Sequence, residues 1–256
     1  MTSRDNKIQS IIEDELSDLR YVVETFNINI NRSLRLLHES ARLAKYTDHN
    51  NNLLGYLHDT ARASIVFLHS SLETSLREII RLKLIHDGDI SNIPLAEQSG
   101  FPNRREKFTL NDLAKYRGWT VDKVIEESVN KSMSHVSFNS TKDITDNFAK
   151  INFPQSTLQP YYADIDSMIS RRHQIVHEGD MKRQGKSSEL EPINIDQVAI
   201  WINSTANLNK EIILLALDNI YLNKIMNRLN YEGIQVDKTE LSNLITVDIK
   251  NVFPNK

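Results

Sequence analysis

Apolar residues recur at helical spacing along most of the chain, and residues 53–86 contain the clearest example. On a helix that turns about 100° per residue, the apolar positions of this stretch fall on one wide face. They are Leu57, Ala61, Ile65, Leu68, Leu72, Leu76 and Ile79. Residues 7–46 show the same spacing as one or two amphipathic helices, with an Asn-rich break at residues 27–31. Each pattern predicts a helix that buries one face and exposes the other.

The helical pattern continues further along the chain, with longer polar interruptions. Residues 88–108 contain two prolines and two glycines and predict an irregular insert. Residues 142–150 and 193–225 predict a short and a long helix, and the wide apolar face of the long one suits either core burial or a dimer contact. Residues 234–253 fit a short strand, a helix or both. With only 7 glycines and 6 prolines in 256 residues, long uninterrupted elements are favoured, and we expect an all-α fold.

The helix predicted for residues 161–178 carries an arginine among apolar neighbours. On a helical wheel, Arg172 falls at about −20° inside an apolar stripe, whereas Arg171 falls at about −120°, on the water side. A guanidinium keeps its charge, and burying it without a partner costs several kcal/mol. Arg172 therefore requires either a carboxylate partner or an opening in which an anion binds.

Glu73 is the candidate carboxylate partner. On the helix predicted for residues 53–86 it lies among apolar neighbours, where an isolated carboxylate would be protonated or would need a partner. Three arrangements remain open: an ion pair with Arg172, a place lining the site with a hydrogen bond to His177, or simple exposure.

His173 and His177 lie together at the edge of the apolar stripe, and three interpretations compete for this stretch. The first is a structural arginine paired inside a helical core, beside two surface histidines. The second is a metal site, because the histidines have the spacing of the His-Glu-x-x-His zinc proteases. However, Gln174 stands at the general-base position, and an amide cannot take a proton from metal-bound water. The third is an acid–base site for a phosphodiester, since histidine transfers protons near neutral pH and arginine binds phosphate oxygens in pairs.

The spacing of these residues resembles the motif of the HEPN ribonucleases. In that motif an arginine is followed directly by a polar residue and, after four to six residues, by a histidine near the end of a helix. Arg172, His173 and His177 hold these positions here.

The surrounding chain is also similar to this family. A long upstream helix contains His69 and Glu73, as in HEPN bundles whose first core helix carries an acidic residue. The segment 136–139, followed by a helical stretch, looks like the insert of the RiboL-PSP-type HEPN branch. We judge the resemblance to cover about residues 52–222. The expected organisation is N-terminal helices at 1–50 packed on the core, a HEPN-like helical bundle at 51–222 with an insert at about 88–157, and a small C-terminal extension at 223–256.

The resemblance implies a metal-independent endoribonuclease that needs no cofactor. His177 would help to take the proton from a 2′-hydroxyl, and Arg172 would orient the scissile phosphate and stabilise its charge. His173 would assist as an acid or as a hydrogen-bond partner, and His69 and Glu73 would support the site. The products would carry a 2′,3′-cyclic phosphate and a 5′-hydroxyl.

The motif also bears on partners. Arg172 and His177 lie about 140° apart on a straight helix, so one chain is not expected to bring them together. Two copies facing across a two-fold axis would do so, and HEPN proteins generally form such homodimers. Lys182, Arg183 and Lys186 form the cationic cluster next to the motif, and they either bind RNA or belong to an ordinary mobile loop. The family implies a toxin or an antiphage defence component, with an antitoxin or a defence-system protein as partner.

Charge and composition limit the remaining functions. The net charge of −3 gives no overall nucleic-acid signature, so an RNA-cutting enzyme must concentrate positive charge locally. The absence of cysteine excludes disulfides, thiolate catalysis and cysteine-based zinc sites. The amino terminus lacks the hydrophobic region of a signal peptide, and the six-residue apolar run at 212–217 is far too short to span a bilayer. A soluble cytoplasmic protein without membrane contact is the default expectation.

Two alternatives to the ribonuclease stay open at this stage. One is a HEPN-like bundle without catalysis that serves as a binding or dimerisation module. The other is a helix-turn-helix DNA-binding regulator at residues 110–129, although Asp122, Glu126 and Glu127 would then face DNA phosphates.

Overall fold

The described part of the chain folds entirely into helices and the turns between them. A computed structural model describes residues 3–44, 51–87, 90–91, 93, 114–181 and 190–250. Apart from an isolated bridge between Met181 and Leu190, these residues contain no strand pairing, and the expected all-α fold is confirmed. In chain order the helices are α1 (Ser3–Glu15), α2 (Ser17–Ala44), α3 (Asn51–Asp87), α4 (Val121–Met133), α5 (Thr141–Lys150), α6 (Tyr162–His177), α7 (Ile195–Ala216), α8 (Leu222–Tyr231) and α9 (Lys238–Lys250).

Helix α3 is the element against which α2, α6 and α7 pack. The prediction of one helix over residues 53–86 is confirmed, and its predicted apolar face is buried. The buried positions are Leu57, Ala61, Ile65, Leu68, Leu72, Leu76 and Ile79. Each large aliphatic side chain buried in this way contributes roughly 1.5–3 kcal/mol, so the face anchors the bundle.

Helix α2 runs through the stretch in which the sequence predicted a break. The prediction of an interruption at residues 27–31 is wrong, and the actual junction between α1 and α2 lies at Leu16. Phe26 and Ile30 are buried, so the apolar spacing is maintained across the asparagines. Asparagine is only a moderately poor helix former, and burial of one helix face outweighs that preference.

The C-terminal helices form the rest of the core. The long helix predicted for residues 193–225 is present as α7, a π-helical segment at Leu217–Tyr221 and the start of α8. Its apolar face serves the core of the same chain, through Val198, Trp201, Ile202, Leu208, Ile212, Ile213 and Ala216. Of the alternatives for residues 234–253, the structure contains the helix, α9.

Helices α4 and α5 connect α3 to α6. Thr120 caps α4 by accepting the Lys123 N–H at 3.2 Å, and Ser140 caps α5 by accepting the Asp143 N–H at 3.2 Å. The first four residues of the proposed helix-turn-helix, 110–113, lie outside the described residues. None of the helices in the described ranges is long and apolar enough to cross a membrane.

Candidate active site

Helix α6, which carries the motif, is buried in its first half and exposed at its end. Its first half is anchored by Ile165, Met168 and Ile169, which are buried. Beyond them the helix reaches solvent, and His173 and His177 are exposed. The positions of these histidines are thus set by a helix whose other end is fixed in the bundle.

A left-handed turn ends α6 directly after His177. Gly179 has φ +64°, a conformation that glycine adopts without the steric cost met by other residues. The Gln174 carbonyl accepts the N–H groups of Glu178 at 3.0 Å and Asp180 at 3.1 Å. Gly179 therefore lets the chain turn directly after the end of the helix.

Arg172 and His177 meet within one chain. Arg172 Nη1 lies 3.5 Å from His177 Nε2, so the expectation that one chain would keep them apart is wrong. The helical wheel describes the directions of Cβ atoms, whereas the long arginine side chain reaches along the helix to the last residue of α6. The two groups named in the motif can therefore act on one bound molecule without a second copy.

The geometry of this pair determines which atom donates and which accepts. A guanidinium can only donate hydrogen bonds, so His177 Nε2 must present a lone pair to Arg172 for the contact to be attractive. At 3.5 Å the contact is long for a hydrogen bond and easily replaced by a ligand oxygen. His173 is stacked beside this group, with its ring centroid 4.6 Å from that of His177 and the planes tilted by 40°. The end of α6 thus combines one permanent cation with two adjacent imidazoles.

Arg172 has no carboxylate partner among the described residues. Its Nε is buried and makes no hydrogen bond, and within the described chain its guanidinium hydrogen-bonds only to the His177 imidazole. Of the two possibilities raised by the sequence, the ion pair is absent from the described residues, so a bound anion remains as the expected partner of the guanidinium. An anion at the guanidinium would satisfy a donor that the protein leaves unused.

Glu73 does not pair with Arg172. Its carboxylate binds the Arg77 guanidinium one helical turn away, at 3.0 Å, and the same Nη2 donates to the Val136 carbonyl at 2.9 Å. Glu73 is half-buried, and the suggested ion pair with Arg172 does not form. The arginine at the next turn of α3 satisfies the carboxylate locally.

His69 lies behind the site and is almost fully buried. Its Nε2 donates to the Phe138 carbonyl at 2.9 Å, because a carbonyl can only accept. Burial lowers the pKa of His69; the Phe138 hydrogen bond opposes this effect, and the charge of Arg172 lowers the pKa further. His69 therefore connects the segment between α4 and α5 to α3, close enough to Arg172 for that charge to disfavour protonation of the ring.

The helical wheel predicted Arg171 on the water side, and this prediction is wrong. Its Nη2 lies 2.9 Å from Asp180 Oδ2, and the Arg62 Nε lies 2.5 Å from the same oxygen. The helical wheel placed Arg171 correctly on the helix but could not include the chain after Gly179, which folds back over that side. Asp180 and Arg62 were not identified from the sequence, since neither lies in a motif and their proximity depends on tertiary packing.

Other expected site features lie outside what the structure describes. Lys182, Arg183 and Lys186 belong to the segment 182–189, which is outside the described residues. Within the described ranges no group of three or more histidine, aspartate or glutamate side chains is placed to share a metal ion. The Gln174 amide oxygen, at the position of the zinc-protease glutamate, accepts a hydrogen bond from Arg171 at 3.3 Å.

The protein is an all-helical bundle in which an arginine and a histidine converge at an exposed helix end. A model of the RiboL-PSP-HEPN family matches residues 25–213, and the chain belongs to that family. The match includes most of α2, so it begins before the region in which the sequence resemblance was recognised. Neither the curated proteins nor the solved structures contain a match to this chain.

Proposed function

We propose that this protein is a metal-independent endoribonuclease whose catalytic residues are Arg172, His173 and His177. The observation that carries the proposal is the 3.5 Å approach of Arg172 Nη1 to His177 Nε2, at a guanidinium with no carboxylate partner in the described chain. A phosphodiester supplies the two groups that this pair lacks, an anionic oxygen for the arginine and a hydroxyl proton for the imidazole.

The proposed reaction uses each residue once. His177 Nε2 takes the proton of a 2′-hydroxyl, and the resulting oxygen attacks the neighbouring phosphorus while Arg172 binds a non-bridging oxygen. The bond between phosphorus and the 5′-oxygen breaks, and the leaving oxygen receives a proton from His173. The products are a 2′,3′-cyclic phosphate and a 5′-hydroxyl, so atoms and charge balance without a cofactor.

The first test is cleavage of total RNA by the purified protein in the presence of EDTA. We expect cleavage to persist, because the donor set at the end of α6 consists of two imidazoles and a guanidinium, with an amide at Gln174. Fragments should end in a cyclic phosphate, which blocks 3′-ligation until mild acid opens the ring and a phosphatase then removes the resulting monoester. Activity that returns only after a divalent ion is added would refute the metal-free mechanism.

The second test uses His177→Ala and Arg172→Ala beside the wild type. Both variants should lose cleavage by roughly a hundredfold or more, the usual scale for a general base or a charge-stabilising group. Unchanged cleavage by folded His177→Ala would remove the ribonuclease assignment and leave a non-catalytic HEPN module that binds RNA or protein.

A toxin or antiphage role is proposed for the biological setting, on the basis of family membership alone. Induced expression should then arrest growth, and the His177→Ala protein at equal abundance should not.

The cationic residues Lys182, Arg183 and Lys186 are proposed to bind RNA. Replacing all three by serine should raise KM more than it lowers kcat.

A further inference from the structure

Three charged side chains outside the Arg172–His177 pair meet in the interior beside the end of α6. Asp180 Oδ2 accepts from Arg62 Nε at 2.5 Å and from Arg171 Nη2 at 2.9 Å. Only 2% of the Asp180 side chain, 8% of Arg62 and 15% of Arg171 is exposed. A buried carboxylate with two arginines is held strongly, since removing a partner would leave a charge without compensation.

The cluster connects three separate parts of the chain. Arg62 comes from α3, Arg171 from α6, and both donate to the Glu191 carbonyl, at 2.7 and 3.2 Å. The backbone of Asp180 takes part as well, because its carbonyl accepts the Glu191 N–H at 2.8 Å. The turn after α6 is therefore fixed both to the central helix and to the segment that leads into α7.

The backbone at Asp180 is left-handed, with φ +56°. Aspartate and asparagine adopt this conformation more readily than other residues with a Cβ, and the surrounding contacts hold it here. Asp180 follows His177 by three residues, and its N–H closes the last turn of α6 onto the Gln174 carbonyl.

We propose that Asp180, acting through Arg171 and Arg62, is a positioning residue that holds the last turn of α6 so that His177 faces Arg172. It is not a catalytic residue, because both of its cationic partners differ from the arginine of the motif. The activity part of the test rests on the proposed ribonuclease function, whereas the structural part does not.

The test variant is Asp180→Asn in the full chain. Asparagine tolerates the left-handed backbone and has the same shape, so the substitution removes mainly the charge. The matched control is Asp166→Asn, on α6 itself, whose carboxylate accepts the Thr141 N–H at 2.8 Å and the Thr141 hydroxyl at 2.7 Å. Both substitutions weaken a carboxylate contact of α6 or of the turn that ends it, but only Asp180 lies beside His177.

The structural readout is NMR of the histidine rings at a temperature at which circular dichroism shows each variant to be folded. In Asp180→Asn the nuclear Overhauser effect between the His173 and His177 rings should weaken and both Cε1–H resonances should move. Asp166→Asn should leave both unchanged. In RNA cleavage, kcat should fall about tenfold to a hundredfold in Asp180→Asn, the scale expected for a misplaced catalytic group, with KM within about twofold of the wild type.

Replacement of Arg171 provides a second route if Asp180→Asn does not fold. Arg171→Lys retains a cation near Asp180 and should keep the wild-type ring contact, whereas Arg171→Gln should lose it. Equal ring spectra in these two variants would overturn the proposal, and so would a folded Asp180→Asn with the spectra of Asp166→Asn. A wild type that cuts no RNA would refute the proposed function, and the ring contact would still decide the positioning role.

Discussion

At the scale of single residues, the neighbouring charges of Arg171 and Arg172 lie in different surroundings. Arg171 contacts a buried carboxylate and donates hydrogen bonds to two backbone carbonyls, those of Glu191 and Pro192. Arg172 contacts an imidazole and has a buried Nε without a partner in the described chain. One arginine is therefore committed to the fold, and the other is available for a ligand.

These surroundings predict that two alanine substitutions lower the stability of the fold by different amounts. Arg171→Ala should lower the free energy of unfolding by about 1–3 kcal/mol, because it removes one donor from a buried carboxylate that still has Arg62. Arg172→Ala should change it by less than about 0.5 kcal/mol, since no described carboxylate loses its partner. Urea unfolding of both variants measures the difference, and a larger loss in Arg172→Ala would contradict the assignment.

The residues of the motif could be found from the sequence, but their partners could not. Arg172, His173 and His177 are close in sequence on one helix, so their spacing and its resemblance to the HEPN motif indicated them as candidates. Asp180 binds Arg62, which is 118 residues away in the chain. Glu73 pairs with Arg77, one turn further along the same helix. Choices between competing partners depend on packing distances, which a helical wheel does not contain.

At the scale of elements, helix α3 carries three histidines, of which His69 is buried and His58 and His86 are half-buried. His58, His69 and His86 each have a pKa below the ordinary value, in each case mainly because burial disfavours the charged form. In the unfolded chain these rings gain a proton near pH 6.5, whereas in the folded protein they gain it only at lower pH. Stability is therefore full above about pH 6.5 and decreases as the pH falls from there towards the folded-state pKa values.

His69→Gln isolates the most buried of these rings. The glutamine amide can still donate to the Phe138 carbonyl but does not titrate. The difference between the urea midpoints at pH 7.5 and pH 5.5 should be smaller in the variant than in the wild type. Equal differences would mean that His69 does not resist protonation in the folded protein.

The turn after α6 allows a comparison with a similar turn elsewhere. Gly179 has φ +64° and Gly233, after α8, has φ +71°, and a Cβ would meet no close atom at either position. Substitution by alanine should cost roughly 1–2 kcal/mol at each, through the backbone alone. Only Gly179→Ala should also lower RNA cleavage measured well below the melting temperature, because His177 lies two residues away. Equal cleavage by the two variants would show that the turn does not influence the site.

Elements with a strong apolar period were predictable, and the details of their junctions were not. The face of α3 follows from spacing alone, as does the short helix α5. The continuity of α2 through its asparagines was missed because local preference was given more weight than the buried Phe26 and Ile30. The π-helical segment at Leu217–Tyr221 leaves no signal in the sequence, since it adds one residue to a turn without changing the apolar pattern greatly.

At the scale of the whole molecule, an apolar surface remains beside the candidate site. Val176, Met181 and Leu190 are 45%, 39% and 44% exposed, and Met181 and Leu190 are joined by the isolated bridge. The face of α7, which the sequence offered as a second dimer contact, is buried in the core of its own chain. A dimer formed through the motif would therefore use the surface at the end of α6.

We expect the protein to be a homodimer with the two α6 ends near the two-fold axis, and Val176→Glu tests this arrangement. The side chain at this position is exposed, so a carboxylate should not disturb the monomer, but across a two-fold axis it would face its own copy in an apolar contact. Light scattering should show a dimer for the wild type and a monomer for Val176→Glu at micromolar concentration. Tyr231→Glu, at a site that is 90% exposed on the last turn of α8, should remain dimeric.

Cleavage by the monomeric variant then separates two roles of the dimer. Because Arg172 and His177 already meet within one chain, Val176→Glu should keep the cleavage chemistry, with kcat within about tenfold of the wild type, and should mainly raise KM as half of the RNA-binding surface is lost. Complete loss of cleavage in a folded monomer would mean that residues of both copies form each site. A wild type that is monomeric and fully active would show instead that the apolar surface serves another partner.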